Sequence, residues 1–191
     1  MNRSVKSLAI FTIVFFFVFK SYAQLKISSP SSVVIADVSK VVDDYPNQFA
    51  NITGDLIIQN PQSADYHCTF KMKDAEECFV TKYHDEKKNI YSWQALMLTT
   101  EDFDLAVKKF KSLYGQLSNS SMGSAKLKGV YESPMEEKNF TSVLFSFDTD
   151  DELMKKLKLE LVMENELLQW KVKIIIYDRE REDDESGELR E

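Results

Sequence analysis

Apolar positions along this chain recur with two different spacings, and each change of spacing marks a predicted element. Two segments place apolar residues three and four positions apart, which is the pattern of a helix with one buried face. The first begins at Ala36. Because Pro46 cannot lie deep inside a helix, either this helix ends near Tyr45 or a second turn begins with Pro46 at its first position. The second runs from Phe103 to Leu117, and we expect one of the two threonines that precede it to cap its first turn.

Eight further segments show the two-residue alternation or the short apolar run that is typical of strands. We predict strands at Leu56–Gln59, Tyr66–Met72, Cys78–Tyr83, Ile90–Leu98, Lys126–Glu132, Phe140–Phe147, Leu157–Glu164 and Leu168–Tyr177. Short turns join consecutive strands, whereas parallel strands need long crossovers, so we expect an antiparallel sheet. The predicted fold class is α+β, with the helices packed on one face of the sheet.

The predicted elements occur in the order helix, four strands, helix, four strands. This order suggests two pseudo-repeats, 35–98 and 99–178, inside one α+β domain that spans 35–178. The Ser- and Pro-containing segment 24–34 is predicted to be a linker. The order resembles that of other two-repeat domains with a helix on a four-stranded sheet, such as the proteinaceous β-lactamase inhibitors and TATA-binding-like folds. The resemblance implies a fold and no activity, because no motif carries it.

The first 23 residues have the layout of a secretory signal peptide. Arg3 and Lys6 precede the apolar run Leu8–Phe19, and small residues then occupy positions 21 and 23. The run is shorter than the ~20 apolar residues that a spanning helix needs, so we expect cleavage and no transmembrane segment in the mature chain. The ending Ser-Tyr-Ala-Gln resembles export signals of Gram-negative bacteria of the Bacteroidota type. That resemblance implies a periplasmic or extracellular location.

The chain is acidic, with 24 basic and 31 acidic residues and a formal net charge of −7. An acidic surface repels phosphate backbones, so we expect no nucleic-acid partner. Much of the excess lies in residues 179–191, which are nearly all polar. Such a segment buries too little apolar surface to offset the entropy of ordering, so we expect a disordered acidic tail.

Two cysteines, Cys68 and Cys78, lie on neighbouring predicted strands. If the turn between these strands is centred on Lys73, the two cysteines face each other and are candidates for a disulfide in an oxidising compartment. The alternative is two buried thiols that are out of register by one residue. The histidines, His67 and His84, do not complete a zinc-ligand spacing with them.

No motif predicts catalysis. The acidic run that begins at Asp148 is similar to the start of a calcium loop, but Leu153 stands where that loop requires glycine. The five glycines are scattered, so no phosphate-binding loop is expected. We therefore predict a protein that is not an enzyme and that has no metal or cofactor, while an enzyme of unrecognised type stays an alternative.

Several strands also carry apolar residues at the positions that alternate with the predicted core. These candidates for an interaction surface are Phe79, Tyr83, Leu144, Val162, Ile175 and Tyr177. Apolar surface of this kind often marks a binding site. The predicted function is an exported, non-catalytic domain that binds a protein, peptide or apolar ligand. The alternatives are that a helix, the N-terminal segment or a second copy covers this face, or that the protein is a self-associating envelope component.

Overall fold

The computed structural model describes residues 30–84 and 89–178. The predicted signal peptide, the first part of the predicted linker and the acidic tail 179–191 lie outside these residues. The first helix begins at Pro30, so the second part of the predicted linker, 30–34, is helical. Proline is favoured in the first turn of a helix, where its missing N–H is not needed.

The described residues form three helices and nine strands. The helices are α1 (Pro30–Asp44), α2 (Phe103–Ser118) and α3 (Glu152–Lys156), with a 3-10 turn at Tyr45–Asn47. The strands are β1 (Thr53–Gln59), β2 (Ser63–Cys68), β3 (Glu77–His84), β4 (Asn89–Thr100), β5 (Ser121–Met122), β6 (Ala125–Gly129), β7 (Phe140–Asp148), β8 (Leu157–Glu166) and β9 (Gln169–Asp178). Every neighbouring pair is antiparallel. The predicted α+β class and antiparallel pairing are confirmed.

The strands form a single sheet in the order β1-β2-β3-β4-β9-β8-β7-β6-β5. The last strand of each predicted pseudo-repeat therefore lies at the centre, where β4 pairs with β9. Several strand boundaries differ from the prediction by a few residues, and two strands end earlier than expected. β2 ends at Cys68 and β6 at Gly129, because the chain leaves the sheet there to form loops.

The core lies on one face of the sheet. A row of five residues crosses its centre, each facing the next on the neighbouring strand: Val80, Trp93, Ile176, Leu159 and Phe145. All five are fully buried, and they belong to one apolar cluster with residues of α1 and α2. Full burial of a large apolar side chain contributes about 1.5–3 kcal/mol, so this cluster is the main source of stability.

Helix α2 contacts β4, β8 and β9 through its apolar stripe. The buried residues of this stripe are Ala106, Phe110, Leu113 and Leu117. Asp102 caps the helix, since its carboxylate accepts a hydrogen bond from the Leu105 N–H at 3.0 Å. The prediction of a threonine cap was wrong. Thr100 lies two residues earlier, and its hydroxyl accepts a hydrogen bond from the Asp102 N–H at 3.1 Å.

Candidate functional site

The six predicted surface residues lie on the face of the sheet opposite the core cluster. Phe79, Ile175 and Leu144 fall in one row across the sheet, but Gln94 and Glu160 stand between them. Successive apolar side chains in this row are therefore two strands, or about 10 Å, apart. They do not form one continuous apolar patch.

Two of the six residues offer little surface. Val162 is 3% exposed and Tyr177 is 8% exposed. Lys173 lies directly across from Val162 and forms an ion pair with Glu164, and an aliphatic lysine stem of this kind covers apolar neighbours. The Tyr177 hydroxyl donates to Glu160 at 3.2 Å. The expectation that these two residues contribute to an exposed patch is corrected, because alternation along a strand does not show what the neighbouring side chains cover.

A different apolar surface stands at one end of the sheet, and we call it the apolar tip: Phe140, Leu167 and Leu168. Leu167 is 90% exposed, Leu168 is 86% exposed and Phe140 is 54% exposed. Phe140 begins β7 and faces Glu164 on β8, three residues before Leu167. Large apolar side chains with this exposure remain in water unless another molecule covers them.

The two leucines of the tip also have an unfavourable backbone conformation. They form the two-residue connection between β8 and β9, whose last facing pair is Glu166 and Gln169. Leu167 has φ 52° and Leu168 has φ 67°. Positive φ at both positions is typical of the type I′ turn, for which Asn-Gly is the favoured sequence. A residue with a Cβ in the left-handed region costs about 1–2 kcal/mol.

Sequence reasoning missed this turn, because it placed the start of the last strand at Leu168. Neither of the two turn residues, Leu167 and Leu168, is a glycine, asparagine or aspartate. The available indication was the length of the connection between the two predicted strands. Only three residues separated the two predicted strands, and a connection this short in an antiparallel sheet is a hairpin turn.

Charged residues flank the apolar tip. Glu166 pairs with Lys171 at 2.5 Å, and Glu164 pairs with Lys173. The hydrogen bond and the charge of Lys171 lower the pKa of Glu166. Helix α2 starts near the same end, since Thr100 at the end of β4 faces Trp170 at the start of β9, and Glu101 and Asp102 follow directly.

The two cysteines lie on the core side of the β2–β3 hairpin, and both are free thiols. A hydrogen bond between the two side chains, burial and the charge of Cys78 all raise the pKa of Cys68. The same hydrogen bond lowers the pKa of Cys78, which burial opposes. Neither thiol has a histidine among the groups that shift its pKa, so this pair lacks the base of a cysteine nucleophile.

A cavity of about 250 Å³ lies beside α3 and is lined by Tyr45, Pro46, Gln48, Tyr91, Leu153, Lys156 and Asp178. Residues 30–84 and 89–178 contain no group of three His, Cys, Asp or Glu residues that could hold a metal ion. In the acidic run with the calcium-loop similarity, Asp151 caps α3 by accepting from the Leu153 N–H at 2.9 Å.

Comparisons with protein-family models, with curated proteins and with solved structures gave no match. In the described part of the chain, no helix is long and apolar enough to cross a membrane. The function is therefore argued from the chain's own residues.

Proposed function

We propose that this protein is an exported, non-catalytic domain that binds another protein through the apolar tip. The observation that carries the proposal is the Leu167-Leu168 turn, which combines nearly full exposure of two leucines with a backbone conformation that leucine disfavours. Burial of each leucine in a partner contributes about 1.5–3 kcal/mol. Strain kept at an exposed position is typical of sites retained for binding.

The charges around the tip define the chemistry of the partner. Glu101, Asp102, Glu164 and Glu166 lie at this end of the sheet, and two lysines neutralise only the last two of them. This excess of carboxylates disfavours an anionic membrane surface and an identical copy of the same tip. The partner that fits is a protein with an apolar pocket and a basic rim.

Export rests on the N-terminal sequence, with its basic start, apolar run and small residues before Gln24. We also infer that the two halves arose by duplication, since each has a helix followed by strands and their last strands meet at the centre.

Site-specific photocrosslinking tests the binding site. The full chain, leader included, is expressed in its native host with p-benzoyl-phenylalanine at position 167 or 168. The matched control carries the same group at Leu153, which is 42% exposed on α3 at the opposite end of β8. We expect a discrete protein adduct from both tip positions and none from the control, because only the tip contacts the partner.

Three outcomes contradict the proposal. The first is identical adducts from the tip and from position 153, and the second is no protein adduct from either tip position. The third is an adduct of twice the chain's mass, which indicates self-association. Fractionation of the same cells tests export separately, since a cytosolic chain that retains Met1 overturns it.

Self-association is the second candidate function, and one observation supports it. Edge strand β1 exposes Leu56, Ile57 and Ile58 by 52%, 42% and 49%. An apolar edge can pair with another strand, although two register shifts in β1 weaken such pairing. Analytical ultracentrifugation of the mature chain and of Ile57→Lys distinguishes the cases. If the mature chain is a dimer and Ile57→Lys is a monomer, self-association is supported. If the mature chain is already a monomer, this candidate is rejected.

A further inference from the structure

Cys68 and Cys78 occupy facing positions on β2 and β3. Tyr66 faces Val80 in the register of this hairpin, and the chain reaches the cysteines two residues further along each strand. Facing residues in antiparallel strands have Cα atoms about 4.5 or 5.5 Å apart. A disulfide spans Cα separations of about 4.4–6.8 Å, so the backbone need not move for a bridge to form.

The two thiols differ in exposure. Cys78 is 8% exposed, whereas Cys68 is partly accessible. A side-chain hydrogen bond between the two cysteines is the largest cause of the pKa shift of each thiol. The register and this coupling of the two pKa values both indicate that the thiols lie side by side.

The loop between the cysteines, residues 69–76, is also where α1 docks. The Lys73 N–H donates to the Asp37 carboxylate at 2.9 Å. Lys40 pairs with the same carboxylate at 2.6 Å and lies 5.5 Å from the centre of the Phe70 ring. Met72 is fully buried in the core cluster. This loop thus contributes to holding α1 in place, together with the contacts of α1 with α2 and the core cluster.

We propose that Cys68 and Cys78 form an intramolecular disulfide in the functional protein, and that this bridge holds loop 69–76 against α1. One cysteine of the pair attacks, as the thiolate, the disulfide of an oxidant, such as a thiol–disulfide oxidoreductase or glutathione disulfide, and releases one thiol of the oxidant. The other cysteine loses its proton and attacks the first cysteine's sulfur in this mixed disulfide, which forms the S–S bond and releases the second thiol. Two electrons and two protons pass to the oxidant.

The bridge does not depend on the proposed binding function, since the apolar tip lies on other strands. It requires an oxidising compartment, which the proposed export supplies. Oxidation of the purified chain in a glutathione buffer tests the bridge independently of location. Failure of the bridge and failure of export are therefore distinguishable.

The first measurement is the intact mass of the full chain after secretion into an oxidising compartment, with iodoacetamide added before lysis. We expect no alkylation without reductant and two alkylations after reduction. A bridge that closes a loop of about ten residues restricts the unfolded chain, so reduction is expected to lower Tm by about 6–10 °C. Amide hydrogens in loop 69–76 and α1 are expected to exchange about 10-fold faster after reduction, while those of α2 stay unchanged.

Cys68→Ser and Cys78→Ser are the matched controls. Each is expected to have the Tm of the reduced wild type and no response to reductant. If either variant fails to fold, wild type with and without reductant still decides the question. Two alkylated thiols after secretion and after glutathione oxidation, or a disulfide-linked dimer, overturn the bridge. If reduction accelerates amide hydrogen exchange equally in α1 and α2, the bridge does not hold α1 specifically, and that part of the proposal is wrong.

Discussion

The β5–β6 and β8–β9 connections are both two-residue hairpin turns, and they differ in their residues. Met122 faces Ala125 across the first, which contains Gly123 with φ 59°. The second contains Leu167 and Leu168, both with positive φ. Glycine adopts this conformation without a Cβ penalty, whereas leucine does not. The first turn has the glycine that its positive φ favours, whereas the second has two leucines whose positive φ lowers stability.

Both turns are exposed, and each has an ion pair nearby. Lys128 pairs with Asp148 at 2.8 Å near the first turn, and Lys171 pairs with Glu166 at 2.5 Å beside the second. The turns differ in position, because the first joins the edge strand β5 to β6 and the second joins two inner strands. Of the two, only the second has positive φ at both residues and no glycine, which is why we propose that its leucines serve binding instead of folding.

The largest effect is expected from Leu167→Asn combined with Leu168→Gly. This change replaces two disfavoured residues with the preferred type I′ pair, so it is expected to stabilise the fold by about 2 kcal/mol. Thermal unfolding should then show a Tm increase of about 4–8 °C. When p-benzoyl-phenylalanine is placed at position 140 of the tip instead, the crosslinked adduct with the partner should be lost in this variant.

The alanine pair Leu167→Ala with Leu168→Ala is the control. It keeps the strain and removes the apolar surface, so we expect an almost unchanged Tm and the same loss of the adduct. A lower Tm for the Asn-Gly variant shows that the leucines stabilise the turn, and the contrast between the turns then fails.

A smaller effect of opposite sign is expected at the first turn from Gly123→Ala. No atom lies within 4 Å of the added Cβ, so the effect comes from the positive φ alone. We expect a loss of about 1 kcal/mol in the free energy of unfolding, measured with urea. The matched control is Gly115→Ala inside α2, where the Cβ also meets no atom within 4 Å. Alanine is expected to stabilise there by about 0.5–1 kcal/mol. If both substitutions change the free energy of unfolding in the same direction, this account is wrong.

The smallest effect concerns the two ion pairs. Hydrogen bonding and charge from the lysines lower the pKa of Glu166 and of Asp148. A lowered folded-state pKa stabilises the protein above the ordinary carboxyl pKa, and this stabilisation is lost as the pH falls through the lowered value. Glu166→Gln and Asp148→Asn are thus expected to lower Tm slightly at pH 7 and low salt. Both differences should vanish at pH 2 and in 1 M salt. A difference that persists under both conditions excludes an electrostatic origin.

The predictable parts of the fold are those with a local cause. The spacing from Phe103 to Leu117 predicted α2 because a helix repeats within a few residues, and the alternation around Leu159 predicted β8 for the same reason. The end of β2 was not predictable. Phe70 and Met72 continue the alternation beyond Cys68, but they pack against α1 from a loop.

The candidate site was less predictable than the fold. Val162 and Tyr177 alternate as surface residues do, yet their neighbours across the strands bury them. Leu168 was predicted to begin the last strand, because apolar character usually indicates burial, and Leu167 was predicted to lie in the connection before it. Their role depends on which residues pair across β8 and β9, and pairing involves positions that local patterns do not compare.

By itself, the sequence determined the order of the two long helices and of eight of the nine strands, the antiparallel connections and the acidic character, because each follows from neighbouring residues or from composition. Only the tertiary structure decided that β4 pairs with β9 at the centre, that loop 69–76 contacts α1, and that two leucines project from a strained turn. These features arise between residues far apart in the chain, where packing and backbone pairing outweigh local preference.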